Sequence, residues 1–388
     1  MQNVDDESMF ENLSILVVDD VKSMRLTIRK MLKNLNIGKM LRFAEDGRKG
    51  LEILKTHAID LAIIDFEMPV MNGAKMLSYI RNDKSMRDMP IIMITAEAQR
   101  DLVYEVAETD IDAYILKPLT LQLLDDKIKS VVYNANHPDK ARILLHQARD
   151  HEEEGDFDSA IRLTKLALRF KPSASRLLRK LGLLYQKTGN IEVAIKCLKK
   201  AAAVNPDDAV TRYLLGKIFE KRGHLVQTAE YFLEVMSLTG KYNEEAIDLG
   251  RRLLGKGIND LAIKLFSKVI SRSKKNLFVK EKVADICMEY GENEYAMQLL
   301  DSIIQEVPSR YDTVYKAGVV YQDVGDSDRA LELFLSVDRH QSSRLDVKLK
   351  IARIYFEKNQ IFQADDYLNK VLQKDPENQE ALSMRRAL

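Results

Sequence analysis

The sequence predicts two architectures in one chain: an α/β domain on a doubly wound, five-stranded parallel sheet, then an all-α array of repeated helix pairs. In residues 1–135, five short apolar runs alternate with segments of helical period, the pattern of a parallel sheet covered by helices on both faces. From residue 155 onward a glycine recurs every 34 residues, which marks a repeat architecture. At 388 residues the chain also exceeds what one ordinary core holds.

The expected strands are 15–18, 40–44, 61–64, 91–94 and 114–116. The third, LAII before Asp65, has no polar alternation, as suits a strand buried on both faces. Between the strands lie amphipathic stretches such as Met24, Ile28, Met31, Leu32 and Leu35. A last helix is expected from about 119 to 133, directly after Pro118, and a polar linker at 135–138.

Composition removes several classes. Net charge is +1, with 18 Lys+Arg against 22 Asp+Glu in residues 1–136 and 42 against 37 in the rest, too even to mark a nucleic-acid or anionic-membrane binder. The start, MQNVDDE, is acidic and shows no secretory signal, and no run approaches the ~20 apolar residues of a spanning helix. Cys197 and Cys287 have no metal-type spacing and read as buried free thiols. A cytoplasmic protein is expected.

The residues at the strand ends carry the chemistry. Strand one ends in Asp19-Asp20, strand three in Asp65, strand four in Thr95, and Lys117-Pro118 follows strand five. In a parallel sheet these converge on one edge, where ligands bind in open α/β folds. Any one of them is explained as a polar cap; all together call for more. Three clustered carboxylates repel unless a cation joins them, and Mg²⁺ suits such an oxygen-rich set. Lys117 and the Thr95 hydroxyl would complete a phosphoryl pocket, with Asp65 as the candidate nucleophile.

Residues 13–134 resemble a response-regulator receiver domain, closest in pattern to chemotaxis-type receivers. The matching segments are ILVVDD (15–20), AEDG (44–47), DFEMP (65–69), TAEA (95–98) and YILKP (114–118). The resemblance implies a flavodoxin-like fold in which Asp65 takes a phosphoryl group from a histidine kinase or phosphotransfer protein. Asp20, Asp65 and the Glu67 carbonyl would bind Mg²⁺, with Asp19 supporting the ion through water. Lys117 would pair with the phosphoryl oxygens. Thr95 and the Ala96 backbone N–H would close on them, Tyr114 would swing inward as the switch aromatic, and the Lys117–Pro118 bond would be cis. Two departures are Asp110, where relatives often carry Gly, and the pair Glu67 and Glu97, which would flank an attacking water.

Past 134–137 (NANH) helix follows helix. Gly155, Gly189, Gly223, Gly257, Gly291 and Gly325 keep the 34-residue phase, and Asn359 takes the next place. Ala160, Ala194, Thr228, Ala262, Ala296, Ala330 and Ala364 form a small-residue series. A further series contains Pro138, Pro172, Pro206, Pro308 and Pro376, read as the start of each following helix. Gly or Asn would end the first helix of each pair in the left-handed conformation. This pattern resembles seven tetratricopeptide repeats over 139–376, with a capping helix at 377–388.

Such arrays present the first helices of each pair on a concave face. By that resemblance the early groove holds Arg142, Arg149, Arg176, Arg179, Lys187, Lys217, Lys221 and Arg251, and the later groove Glu281, Asp285, Glu289, Asp312, Asp323 and Asp346. Ordinary solvated charges are the plainer reading; the sharper one is a protein or peptide partner of complementary polarity. The pattern that clamps a C-terminal carboxylate is missing, since Arg149 and Leu183 stand at its Asn places. His146 and His151 are read as surface or interhelical residues. Tyr185, Phe219, Tyr321 and Tyr355 are read as core rather than a stacking platform.

The expected function is a response regulator whose output is protein binding, not an enzyme beyond its own phosphotransfer and slow aspartyl-phosphate hydrolysis. A phosphorelay shuttle or sink is the alternative, and a nucleic-acid regulator a lesser one, since no reading element is visible. A homodimer stays open.

Overall fold

In the computed structural model, which describes residues 9–96, 111–273 and 276–388, five strands form one parallel sheet. They are β1 (Ser14–Val18), β2 (Met40–Ala44), β3 (Leu61–Asp65), β4 (Ile91–Ala96) and β5 (Ala113–Lys117), in the order β2-β1-β3-β4-β5. Period-two alternation sends Ile15, Val17, Leu61 and Ile63 to one face and Leu16, Val18, Ala62 and Ile64 to the other. Helices α1 (Lys22–Asn34) and α4 (Leu121–Asn136) cover the first face with Ile28, Leu32, Leu124 and Ile128. Helices α2 (Gly47–Thr56) and α3 (Gly73–Asn82) cover the second with Leu54, Met76, Leu77 and Ile80. Each large apolar side chain so buried contributes roughly 1.5–3 kcal/mol.

Local chemistry starts the helices where expected. Asp46, Asn72 and Thr120 accept from Lys49, Lys75 and Leu123 backbone N–H groups as N-caps of α2, α3 and α4. One boundary differs. Helix α4 begins after Thr120 and runs through Asn136, so 134–136 is its last turn and not a linker. The His137 N–H bonds to the Tyr133 carbonyl and the two rings stack at 4.4 Å, which carries the helix past its polar residues.

Helices α5 (Lys140–Glu153), α6 (Phe157–Phe170), α7 (Ser175–Lys187), α8 (Ile191–Val204) and α9 (Ala209–Lys221) follow, then ten more among the described residues, from Leu225–Leu238 to Gln379–Ala387. Two glycine series serve two purposes. Gly155 has φ +83 with open space around it; its N–H bonds to the Glu152 carbonyl, and the next N–H, of Asp156, reaches back to His151 at 2.8 Å. That is the Schellman termination, and the phase-mates of Gly155, Asn359 included, share its positive φ. At Gly250 the backbone is ordinary, but an added Cβ would lie 2.3 Å from the Phe266 ring. Gly182 and Gly318 are similarly close to Leu198 and Phe334, so the first series exists for conformation and this second one for close helix contact.

The prolines do not start helices as expected. Pro172, Pro206, Pro308 and Pro376 each stand immediately after the C-cap residue of the preceding helix. Lacking an N–H and clashing with the previous turn, they stop that helix. Ala160, Ala194, Ala262, Ala296, Ala330 and Ala364 are fully buried. Of the two free cysteines, Cys287 is buried and Cys197 only half-buried.

The helical-repeat residues do not all fall in one unit apart from the sheet. The chain divides into compact units Met1–Ile218 and Phe219–Leu388, so the α/β domain shares one unit with α5–α8.

Candidate functional site

The carboxyl ends of β1 and β3 bring Asp19, Asp20 and Asp65 together, with one oxygen of each within 4.8 Å of the others. Asp65 is the last residue of β3 and 4% exposed; Asp19 follows β1 and is 1% exposed, whereas Asp20 is exposed. Lys117, at the end of β5, places Nζ 3.0 Å from Asp65 Oδ2 and 3.7 Å from Asp19 Oδ2. The Phe66 N–H donates to Asp65 Oδ1 at 2.9 Å. Burial pushes the Asp65 carboxyl up to about 6; the Lys117 hydrogen bond and charge pull it down, neighbouring Asp19 raises it, and the Phe66 N–H lowers it.

At this edge two buried oxygens, Asp19 Oδ2 and Thr95 Oγ1, have no hydrogen-bond partner. The Asp19 oxygen has only the longer ion-pair approach of Lys117. An unsatisfied buried carboxylate oxygen beside two further carboxylates fits a small hard dication. Asp19, Asp20 and Asp65 would hold it.

The surrounding residues are positioned by sheet register. Thr95 is buried in β4 opposite Leu116, and the Ala96 backbone pairs with Lys117. Tyr114 points outward, 42% exposed, and the Glu67 side chain is exposed. The Lys117–Pro118 bond is cis. Glu97 and Asp110 lie outside the described residues.

Two contributors escaped the sequence reading. Arg25 in α1 donates through Nη1 to the Asp19 carbonyl at 2.5 Å and the Asp20 carbonyl at 3.0 Å, fixing the turn that carries both acids. Its only signal was a basic residue one helical turn beyond an acidic pair. Gly73 bonds its N–H to the Phe66 carbonyl at 2.9 Å and passes so close to Asp65 that a Cβ would sit 2.3 Å from the Asp65 carbonyl oxygen.

The basic groove residues assigned from the repeat pattern have several fates. Arg142 donates to Asp112 at 3.0 Å, and Arg149 holds both oxygens of Asp88 at 2.9 and 2.8 Å, so the α/β domain itself engages them. Arg179, itself half-buried, pairs with the buried Asp208 at 2.8 Å, a structural pair, and Lys187 lies 2.9 Å from Glu152. Arg176 is exposed, and Lys217 half-buried. In the second unit Lys221 and Arg251 are exposed. The later acids do not form a free acidic surface: Glu281 bonds Arg310 at 2.6 Å, Asp285 bonds Lys316 at 2.6 Å, and Asp312 and Asp346 share Arg344. Glu289 and Asp323 stay exposed. His146 stands 3.6 Å from Asp88, between the domain and the repeats, and His151 3.2 Å from Asp156. Phe219 stacks on Tyr231 and Tyr321 donates to Asp301, which makes both structural.

Comparison with known proteins agrees with this geometry. The family model for the response regulator receiver domain matches residues 15–129, and tetratricopeptide-repeat models match 149–215 and 346–378. The chain is 35% identical over 124 residues to the chemotaxis protein CheY of Pseudomonas aeruginosa, covering 32% of this chain and 99% of that protein. It is 36% identical over 121 residues to the chemotaxis protein CheY-3 of Vibrio cholerae, covering 31% and 92%. A solved structure of the chemotaxis response regulator CheY4 of Vibrio cholerae matches with 26% identity over 31% of this chain and 98% of that one, TM-score 0.29. Among the described residues no helix is long and apolar enough to cross a membrane. Through its receiver domain, followed by tetratricopeptide repeats, the chain belongs to the response-regulator family.

Proposed function

We propose that this protein is a cytoplasmic two-component response regulator in which phosphorylation of Asp65 controls protein binding by the repeats. The observation that carries the reading is the meeting of Asp65 with Asp19, Asp20 and Lys117 at one sheet edge. An Asp65 oxygen attacks the phosphorus of a kinase or phosphotransfer-protein phosphohistidine; the N–P bond breaks, and the leaving imidazole takes up a proton. The result is an aspartyl phosphate, which water later hydrolyses. Mg²⁺, when bound by Asp19, Asp20 and Asp65 with the Glu67 carbonyl, neutralises charge on the transferring group. Lys117 holds a phosphoryl oxygen, and the Thr95 hydroxyl and Ala96 N–H take the others.

The switch follows from these contacts. Thr95 moves toward the phosphoryl group and leaves room for Tyr114 to turn inward. Strand β5 offers a route to the repeats: Lys117 at its end bonds Asp65, and Asp112, just before its start, bonds Arg142 of α5 at 3.0 Å. No activity beyond phosphoryl uptake and hydrolysis is proposed.

The test is a quantitative pull-down with Mg²⁺, with and without beryllofluoride, with Asp65→Asn as control. The expected result is a set of partners gained or lost only with Asp65 intact. An unchanged set, with beryllofluoride nonetheless bound at Asp65, would refute a gated output.

A further inference from the structure

The receiver meets the repeats at the sheet edge opposite its phosphoryl site. Asp88 lies in the turn before β4 and Asp112 just before β5, and both face α5. Both carboxylate oxygens of Asp88 accept from one nitrogen, Arg149 Nη2, at 2.9 and 2.8 Å, with His146 Nε2 at 3.6 Å. Asp112 is shared between Arg142, at 3.0 Å, and Arg81 of its own domain, at 3.1 Å. In the reverse direction Arg87 reaches Asp150 at 2.9 Å and Glu153. A cavity of about 390 Å³ remains beside these pairs, and Arg176 and Lys180 of α7 line it with Arg142 and Arg149.

On the repeat pattern, Arg142, Arg149 and Arg176 fall at groove positions of the first two repeats. The receiver presents carboxylates to two of them. Guanidinium groups recognise carboxylates by paired, directional hydrogen bonds, so the surface is suited to carboxylates wherever they come from.

We propose that the surface formed by Arg142, Arg149 and Arg176 binds an acidic segment of a partner protein, and that Asp88 and Asp112 occupy it in cis as substitutes for that segment's side chains. The inference rests on the reading that the repeats bind protein, and it names the partner's chemistry. Receiver and segment then exclude each other, and apparent affinity is lowered by the fraction of molecules in which the receiver is docked.

The experiment measures anisotropy of a fluorescein-labelled oligo-glutamate peptide with the full chain at low salt. Asp88→Asn removes the negative charge and one of the two acceptor oxygens from the receiver side; affinity is expected to rise about 3- to 10-fold, a change on the order of 1 kcal/mol. Arg149→Ala is expected to weaken binding by a similar factor in the Asp88→Asn background, and by less in the wild type, where it also releases the receiver. The half-exposed Asp88 carries the test, because Asp112 also accepts the Ile91 N–H and its loss disturbs the sheet. Equal affinity of wild type and Asp88→Asn, or binding by Asp88→Asn that is indifferent to Arg149→Ala, overturns the proposal. So does peptide binding abolished by stoichiometric inorganic pyrophosphate, which would make the cavity a small-anion site. Phosphate uptake by Asp65 is followed in parallel on each variant: a failed peptide test with intact uptake sinks the acidic partner alone, whereas absent uptake sinks the receiver chemistry.

Discussion

Gly73→Ala should damage the phosphoryl site from behind, without touching any charged group. The glycine opens α3, and its added methyl carbon would lie 2.3 Å from the Asp65 carbonyl oxygen, 2.7 Å from Met93 Cε and 3.1 Å from the Asp65 carbonyl carbon. Met93 can yield because it is flexible. The Asp65 peptide is strand backbone, paired in register with Ile94, and cannot. Ordinary contact begins near 3.4 Å, so β3 and α3 must separate locally by about 1 Å. Overpacking of this size destabilises by about 1–3 kcal/mol. A shift of about 1 Å in the acceptor slows phosphorylation by up to about 100-fold. Thermal unfolding gives the first number, and the rate of acetyl-phosphate-driven phosphorylation on phosphate-affinity gels gives the second. Gly155→Ala is the control: its φ of +83 makes alanine cost about 1–2 kcal/mol, with nothing nearby to displace. That variant should lose stability and keep the wild-type phosphorylation rate. Wild-type phosphorylation by Gly73→Ala, or equal slowing by both variants, would refute the reasoning.

Three further outcomes follow from the same structure. Burial acts to raise the Asp88 carboxyl, yet the Arg149 hydrogen bond and charge, with His146 and Arg87, hold it below the usual carboxylate range. Its contribution to docking is present above about pH 4 and lost as pH falls through the depressed value. His146 is also held low, by burial and by Arg149 and Arg142 against the opposing charges of Asp88 and Asp150, so taking up a proton below about pH 6.5 opposes the docked state. Hydrogen exchange at the receiver–α5 junction should therefore rise as pH falls from 7 to about 5 (intrinsic rates corrected), and His146→Gln should remove that first rise; a flat wild-type profile counts against it. Arg179→Ala should destabilise by about 1.5–3 kcal/mol in chemical unfolding because it takes the guanidinium from the buried Asp208 carboxylate and leaves it to the Thr211 N–H and hydroxyl, whereas exposed Arg176→Ala should stay within about 0.5 kcal/mol. Val70 has φ +67 in a three-residue turn closed by the Met71 N–H on the Pro69 carbonyl at 2.7 Å, so Val70→Gly should stabilise by about 1 kcal/mol, read by calorimetry; a loss of stability would remove the strain argument.

The local sequence determined the elements and the chemistry of the strand ends. LAII before Asp65 was readable as a doubly covered strand because each of its side chains must be buried, and parallel topology then brings Asp19, Asp20, Asp65, Thr95 and Lys117 to one edge. The 34-residue phase was readable because one backbone requirement, a left-handed residue ending a helix, returns at each turn. The role of the prolines was misread because a residue that stops one helix stands only a few positions before the next, and one sequence position serves either purpose.

What only the tertiary structure decided is where these parts meet. Arg142 and Arg149 carry a groove pattern, Asp88 and Asp112 look like turn residues, and nothing periodic links them; their pairing depends on two surfaces 30 to 61 residues apart in sequence coming together. Gly73 is likewise an ordinary glycine in sequence until Asp65 is placed against it. Side-chain periodicity encodes which face of an element is buried, whereas the fit of one polar surface on another depends on distances that no spacing along the chain contains.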